Sequence, residues 1–383
     1  AHSGRRETER IPLASGAGRV LAEDIVSPVS VPQFTRGMMD GYAVRAADTS
    51  GATSYNRLQL HVVGVVLPGQ RHDGVLATGE AIRIMTGSRL PDGADAVVPV
   101  EETVLVGDFV GVTDAVAPGK HVGRIGEDIE QGHVVLNAGR RLRPQDVGVL
   151  SSIGVGELPV IRRPNVRIVL TGNELLPPGS LPRDELITDA NSPMLAALIE
   201  RDGGIPHHPG IVPDREDAIR SALQEPADIV LVSGGSSVGQ EDYAPKVLAE
   251  DGELAIHGIS MRPSSPTGMG LLADKLVFLL PGNPVSCLCA YDFFAGRAIR
   301  QMSGRSSEWP YVIAKGQLTR KLVSVVGRVD YARVRRDGES VEPIAIGGAS
   351  LLSTTTIADG FVVIPENSEG FAEGSTVEVR CYD

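Results

Sequence analysis

Three short loops carry the residues best suited to chemistry: Thr171-Gly172-Asn173-Glu174, the stretch SGGSSVG from Ser233 to Gly239, and Pro281-Gly282-Asn283-Pro284-Val285-Ser286. Each follows a compact apolar run. Each is therefore expected at the carboxyl edge of a strand, where loops meet helix N-termini whose outward amides can hold an anion. In the second loop Gly234, Gly235 and Gly239 let the backbone approach a ligand, and with Ser237 they form a nest of donors suited to a phosphate. No Gly-Lys-Ser/Thr follows, which disfavours a Walker-type nucleotide triphosphatase. One such loop is as well explained by a plain strand-to-helix turn, but three in one domain favour a site.

Carboxylates stand beside these loops: Glu174 after the first run and Asp242 three residues past Gly239. Together with Asp40 they are candidate oxygen ligands for Mg²⁺, with water completing an octahedron. The bland alternatives are helix capping for Asp242 and a Met-Asp-Gly-Tyr hairpin turn for Asp40. Met261-Arg262-Pro263-Ser264-Ser265-Pro266 places a guanidinium and two hydroxyls in a stiff loop, a grip for an oxyanion through charge-assisted hydrogen bonds. A solvated surface arginine is the commoner reading of such a residue. Thr86, within Met85-Thr86-Gly87, sets a hydroxyl before a glycine at the end of a β-type run. No Ser-His-Asp order, nucleophile elbow or His spacing for metal is present, so covalent catalysis is not expected. His207-His208 reads as a surface loop.

The elements that must position these residues are of two kinds. Val166–Leu170, Ile229–Ser233 and Leu276–Leu280 are almost purely apolar, the mark of parallel strands buried on both faces. Between them, Asn191-Ser192-Pro193 predicts a helix cap before the Met194–Arg201 stripe, with Gly203-Gly204 as its stop, and Asp214 predicts the start of a second helix that Pro226 ends. Elsewhere short β-type runs dominate: Arg19–Val26, Gln59–Leu67 and Ala96–Glu101 before this region, Tyr311–Leu318, Phe361–Ile364 and Thr376–Tyr382 after it. A short helix is expected near Pro144–Ile153. The fold class is thus multidomain α/β plus β: a central three-layer α/β domain, an inserted β-rich domain and a C-terminal β-barrel-like domain. The expected bounds are 1–37 with 123–159 as a discontinuous linker domain, 38–122 for the β-rich insertion, 160–306 for the α/β domain and 307–383 for the barrel.

Composition bounds the partners. The 383 residues exceed one ordinary core, and 45 Gly with 26 Pro agree with many short elements. A net charge of −12 supplies no basic stripe, so no nucleic-acid partner is expected. Cys287, Cys289 and Cys381 are too few and odd in number for a disulfide framework, and Cys287 with Cys289 read as packed thiols. No run reaches the ~20 apolar residues of a membrane span, and Ala-His-Ser-Gly-Arg-Arg lacks a signal-peptide core. A cytoplasmic protein with a processed or truncated N-terminus is expected.

Read together, Met39-Asp40-Gly41-Tyr42-Ala43-Val44, Met85-Thr86-Gly87, Ser233–Gly239 with Asp242-Tyr243, and Pro281–Ser286 resemble the MoeA/gephyrin E-domain family of molybdenum insertases. Their order and spacing span nearly the whole chain, apart from a further N-terminal helix the family usually has. The resemblance implies that the α/β domain binds molybdopterin, that two copies form a homodimer and that the linker domain of 1–37 with 123–159 has a dimerisation role. Asp40 and Thr86 of one subunit would face Glu174, Asp214 and Asp242 of the other. It implies insertion of molybdate into adenylylated molybdopterin with release of AMP, Mg²⁺ being held by Glu174, Asp242 and Asp40. The pterin and oxyanion would be held by Gly234, Gly235, Ser237, Gly239, Pro281, Gly282, Asn283, Pro284 and Ser286, with Arg262, Ser265, Arg333 and Ser353. A pterin adenylyltransferase or an acceptor molybdoenzyme would be its partner. Two positions depart from the family pattern: Arg262 and Ser265 stand where lysines are usual, losing one cation, and Asn173 stands where Asp is commoner.

Two other readings compete. An interaction scaffold with cytoskeletal partners follows from the gephyrin resemblance, but Asp40, Glu174 and Asp242 are all retained. Pterin adenylylation would use the same α/β domain without the surrounding β domains, which the length of this chain disfavours.

Overall fold

The computed structural model describes residues 7–234, 243–345, 348 and 350–382. The chain divides into two compact units, one comprising Arg10–Ala17 and Leu21–Pro159, the other the remaining described residues.

The second unit is built on a seven-stranded sheet. Its centre is formed by the three apolar runs as strands Asn165–Thr171, Ile229–Ser233 and Lys275–Leu280, side by side and parallel, as their composition predicts. Their register sets Leu170, Ser233 and Leu280 level with one another, so the three candidate loops leave the sheet at one edge. Period-two alternation splits each strand between two cores. Val166, Ile168, Ile229, Leu231, Phe278 and Leu280 face the Asn191–Asp202 helix and the helical segments from Pro284 to Met302. Val169, Val230, Val232, Val277 and Leu279 face the Glu216–Gln224 and Tyr243–Asp251 helices. This is the expected three-layer α/β arrangement.

Beyond the third strand, Gly268–Leu272 and Glu253–His257 extend the sheet antiparallel, which the sequence did not announce. The cause is local: Ala273, at φ 51°, and Asp274 reverse the chain in two residues, which allows only an antiparallel neighbour. His207 ends the exposed edge strand Ile205–His207 rather than lying in a loop.

C-terminally, strands Val329–Asp337, Ser340–Ala345, Val312–Leu318, Thr376–Cys381 and Gly360–Ile364 pair in that order, and the last returns to the first, closing a five-stranded barrel. Closure leaves no exposed sheet edge among these strands. Met261–Arg262 adds a short parallel strand to Val329–Asp330. An aromatic cluster of Phe293, Trp309, Tyr311, Tyr331, Phe361 and Tyr382, with Val285 and Cys289, packs the barrel on the α/β domain. Arg262 and the loop at Pro281 are thereby fixed in one frame.

In the first unit, a six-stranded sheet runs in the order Ala96–Pro99, Gly41–Val44, Glu80–Ile84, Leu58–Val66, Phe109–Val112, Thr103–Val106. The helix expected near Pro144 spans Pro144–Ser152. The Arg19–Val26 run forms a strand only at Ile25–Val26; Val20 and Leu21 make single bridges, and the Asp24 carboxylate accepts the Ala138 N–H at 2.7 Å. The Ala96–Glu101 run stops at Pro99, after which Val100–Glu102 makes a 3₁₀ turn.

Candidate active site

Where the parallel strands end, the chain crowds its backbone. Gly234 has φ 97°, and a Cβ there would lie 2.1 Å from the Thr171 carbonyl oxygen, so only glycine fits. Gly282 approaches the Gly234 Cα closely enough that its own Cβ would sit 3.5 Å from it. Above these turns opens a cleft of about 460 Å³ lined by Thr171, Glu174, Asn191, Asp214, Gly234 and Asn283, among others. Of the three candidate loops, Gly172, Glu174, Gly234, Gly282, Asn283 and Pro284 line this one cleft. Gly235, Ser237, Gly239 and Asp242 lie outside the described residues.

Asp214 enters this cleft for a reason the sequence reading missed. The helix expected to begin at Asp214 begins at Glu216. Arg215 N–H donates to the Pro213 carbonyl at 2.8 Å and Asp214 N–H to Asn173 Oδ1 at 3.4 Å, which hold this stretch in a turn. Asn173 therefore supplies an acceptor for a backbone N–H at the position where an aspartate is commoner. Likewise Asn191 is not the cap of its helix. Asp189 takes that task, accepting the N–H groups of Asn191 at 2.8 Å and Ser192 at 3.0 Å and the Ser192 hydroxyl. Asn191 is freed to donate from Nδ2 to Ser233 Oγ at 2.9 Å and to the Gly282 carbonyl at 2.7 Å. One buried amide thus ties a helix start to two of the three loops.

A second cleft, of about 620 Å³, shares Asn283 with the first and is lined by Arg262, Ser264, Ser265, Pro281, Ser286 and Arg328, among others. Ser264 is held at φ 97°, its hydroxyl donating to the Ser286 carbonyl at 2.6 Å. Arg262 pairs with the fully buried Asp330 at 2.6 Å, and Arg328 approaches the other oxygen of that carboxylate at 3.1 Å. Arg328 and Asp330 were not anticipated; nothing local in the sequence marks them. Arg333 is fully buried in the barrel strand, and Ser353 begins the exposed helical turn Ser353–Thr356. Neither is among the residues lining the two clefts. Cys287 and Cys289 are buried thiols, the former pushed up to about 12 by burial, in keeping with packing rather than reactivity.

In the first unit, Asp40 is not in a hairpin turn. It precedes the Gly41–Val44 strand, where a Cβ on Gly41 would meet the Val98 carbonyl oxygen at 2.0 Å. Its Oδ1 accepts both the Thr86 hydroxyl, at 2.6 Å, and the Thr86 N–H, at 2.7 Å. These two bonds hold the Asp40 carboxyl below the usual carboxylate range, the hydroxyl contributing most. Asp40 and Thr86 form one exposed acidic element, while Glu174 and Asp214 belong to the other unit. Among the described residues no three His, Cys, Asp or Glu side chains cluster as a metal site.

A doubly covered parallel sheet with a polar cleft at its carboxyl edge, continuous with an arginine-bearing cleft against a barrel, defines a protein that binds an anionic small molecule. The comparisons with known proteins make this specific. Residues 1–154 match the MoeA N-terminal region (domain I and II), 167–301 a probable molybdopterin binding domain and 315–381 the MoeA C-terminal region (domain IV). A putative molybdopterin biosynthesis protein of Methanocaldococcus jannaschii is 35% identical over 98% of this chain and 92% of its own length. A molybdopterin molybdenumtransferase of Staphylococcus aureus is 32% identical over 96% and 90%, respectively. The crystal structure of a molybdopterin biosynthesis MoeA protein from Pyrococcus horikoshii superposes with a TM-score of 0.85 at 35% identity, covering 98% of this chain and 94% of that one. The chain belongs to the MoeA family. It is a molybdotransferase of molybdenum cofactor biosynthesis, with molybdopterin and molybdate as its substrates.

Proposed function

We propose that the enzyme inserts molybdate into adenylylated molybdopterin and releases AMP. The observation that carries this is the pair of clefts joined at Asn283: one is lined by glycines and carboxylates at the carboxyl edge of the sheet, the other by guanidinium groups and hydroxyls. Their adjacency suits a reaction in which a pterin phosphoanhydride and a metal oxyanion must meet. Glu174 lines one cleft with a hard oxygen donor, which fits Mg²⁺, an ion that takes one or two carboxylates together with phosphate oxygens, and Asp214 lines the same cleft as a further acidic group. Asp242, and Asp40 from the partner copy of a homodimer, complete the proposed set. When bound there, Mg²⁺ would neutralise charge on the phosphoanhydride. Gly234 and Gly282 let the backbone approach the nucleotide phosphate. Arg262, with Ser265 and Ser286, holds the oxyanion, whereas Arg333 and Ser353, which the resemblance also assigns to it, line neither cleft and are given no direct contact. Thr86 keeps Asp40 ionised for its part.

In this reading the protein works in the cytoplasm, receives its substrate from a pterin adenylyltransferase and hands its product to an acceptor molybdoenzyme. The four-domain division at 1–37 with 123–159, 38–122, 160–306 and 307–383 belongs to the same proposal. The deciding experiment supplies molybdopterin adenylate and Mg²⁺ to the purified protein, with and without molybdate, and then reconstitutes an apo-molybdoenzyme. Molybdate-dependent AMP release with reconstitution is expected. Absence of release from a folded dimer would overturn the reading in favour of a scaffold that binds protein partners.

A further inference from the structure

We propose that Arg328 is the cation that makes the second cleft electropositive, held there by Asp330, and that it binds the tetrahedral oxyanion beside Arg262. This rests on reading that cleft as the molybdate site. Asp330 is fully buried, and its carboxylate accepts from Arg262 Nη2 at 2.6 Å and from Ser324 Oγ at 2.7 Å, while Arg328 Nε lies 3.1 Å from the remaining oxygen. Among the described residues no other carboxylate pairs with either arginine. One negative charge therefore faces two positive ones. The Arg262–Asp330 pair is neutral as a unit, and a dianion approaching Arg262 alone would meet the field of the carboxylate behind it. The excess positive charge at the cleft wall comes from Arg328.

Backbone geometry brings the two guanidiniums to the same cleft. Met261–Arg262 pairs in parallel with Val329–Asp330, and Val329 N–H donates to the Ser260 carbonyl at 2.9 Å, so Arg328 enters beside the Arg262 strand. Both arginines line the cleft with Ser265 and Ser286, and their side chains stay 36% and 30% exposed. Their outer N–H groups remain available to an anion with little reorganisation. Asp330 is a positioning residue: it accepts a hydrogen bond from Arg262 and lies within ion-pair distance of Arg328, without touching the ligand. A purely structural Arg328 would only neutralise Asp330.

The test is calorimetric titration of the full-length protein with sodium molybdate at fixed pH and ionic strength. Loss of one charge-assisted contact should weaken binding about tenfold or more in Arg328→Ala. Arg328→Lys, which keeps the charge, should restore most of the affinity. Arg320→Ala, which removes the same charge from the barrel surface near Glu342, should bind as the wild type does. Weaker binding by Arg328→Ala with rescue by lysine supports the assignment; wild-type affinity in Arg328→Ala, with or without a lowered melting temperature, overturns it. If Arg328→Ala does not fold, Arg328→Gln against Arg328→Lys reads the same difference. A wild-type protein that takes up no molybdate overturns the cleft reading itself, an outcome distinct from equal binding by wild type and variant.

Discussion

At the scale of single residues, the site depends on side chains whose partners set their protonation and on glycines that no other residue can replace. Asp40 is exposed, yet two hydrogen bonds from Thr86 favour its charged form. A depressed carboxyl pKa means the interaction is fully present above the ordinary aspartate value and is lost only as pH falls through the lowered one. Thr86→Val keeps the N–H but removes the hydroxyl, so the Asp40 titration should move up toward the ordinary range. A carboxyl-carbon NMR titration reads this directly, and an unmoved midpoint would show that the hydroxyl contributes nothing. Both residues are visible in the sequence, but not their contact, since they stand 46 positions apart and only the pairing of Gly41 with Ile84 brings them together.

At the scale of elements, the carboxyl edge of the sheet is held by one amide. Asn191 donates to the second loop and to the third, and both acceptors are at the floor of the cleft. Asn191→Ala removes both bonds and leaves the Ser233 hydroxyl and the Gly282 carbonyl short of a donor. A loss of about 1–3 kcal/mol follows, because an unsatisfied buried polar group keeps its desolvation penalty. Urea unfolding of the variant checks it, and an unchanged midpoint would mean that the loops are held by the backbone packing at Gly234 alone. Asn191→Asp should be no better, since a carboxylate cannot donate to the Gly282 carbonyl.

At the scale of the whole molecule, the α/β domain and the barrel are joined by a buried polar network as well as by aromatic packing. Asp292 is fully buried, accepts from the Tyr311 hydroxyl at 2.9 Å and pairs with Arg201, which also pairs with the buried Asp202. Burial pushes the Asp292 carboxyl up to about 6, against the pull of Arg201. The folded state therefore holds a proton that the unfolded chain has released. The stabilisation is complete below the unfolded value near 3.8 and is lost as pH rises toward 6. Asp292→Asn removes this component. The stability difference between wild type and variant should thus move against the wild type by about 3 kcal/mol between pH 3 and 7, because each tenfold change in proton affinity is worth about 1.4 kcal/mol. Denaturant unfolding across that range reads it, and a pH-independent difference would place the proton elsewhere.

The sequence alone determined the three buried strands, their parallel direction and the loops at their ends, because apolar runs of that length have few other ways to be satisfied. It also determined the barrel-like C-terminus and, through motifs spread over the chain, the family. Tertiary structure alone decided which residues those loops bring together. Asp214 read as a helix start and Asn191 as a cap, since both types favour helix N-termini in isolation. Asn173 and Asp189 overrode both preferences through the hydrogen bonds they accept in the folded chain. Arg328 and Asp330 carried no signal because a charge acquires meaning from what it faces, and Arg262 meets Asp330 across 68 positions of chain.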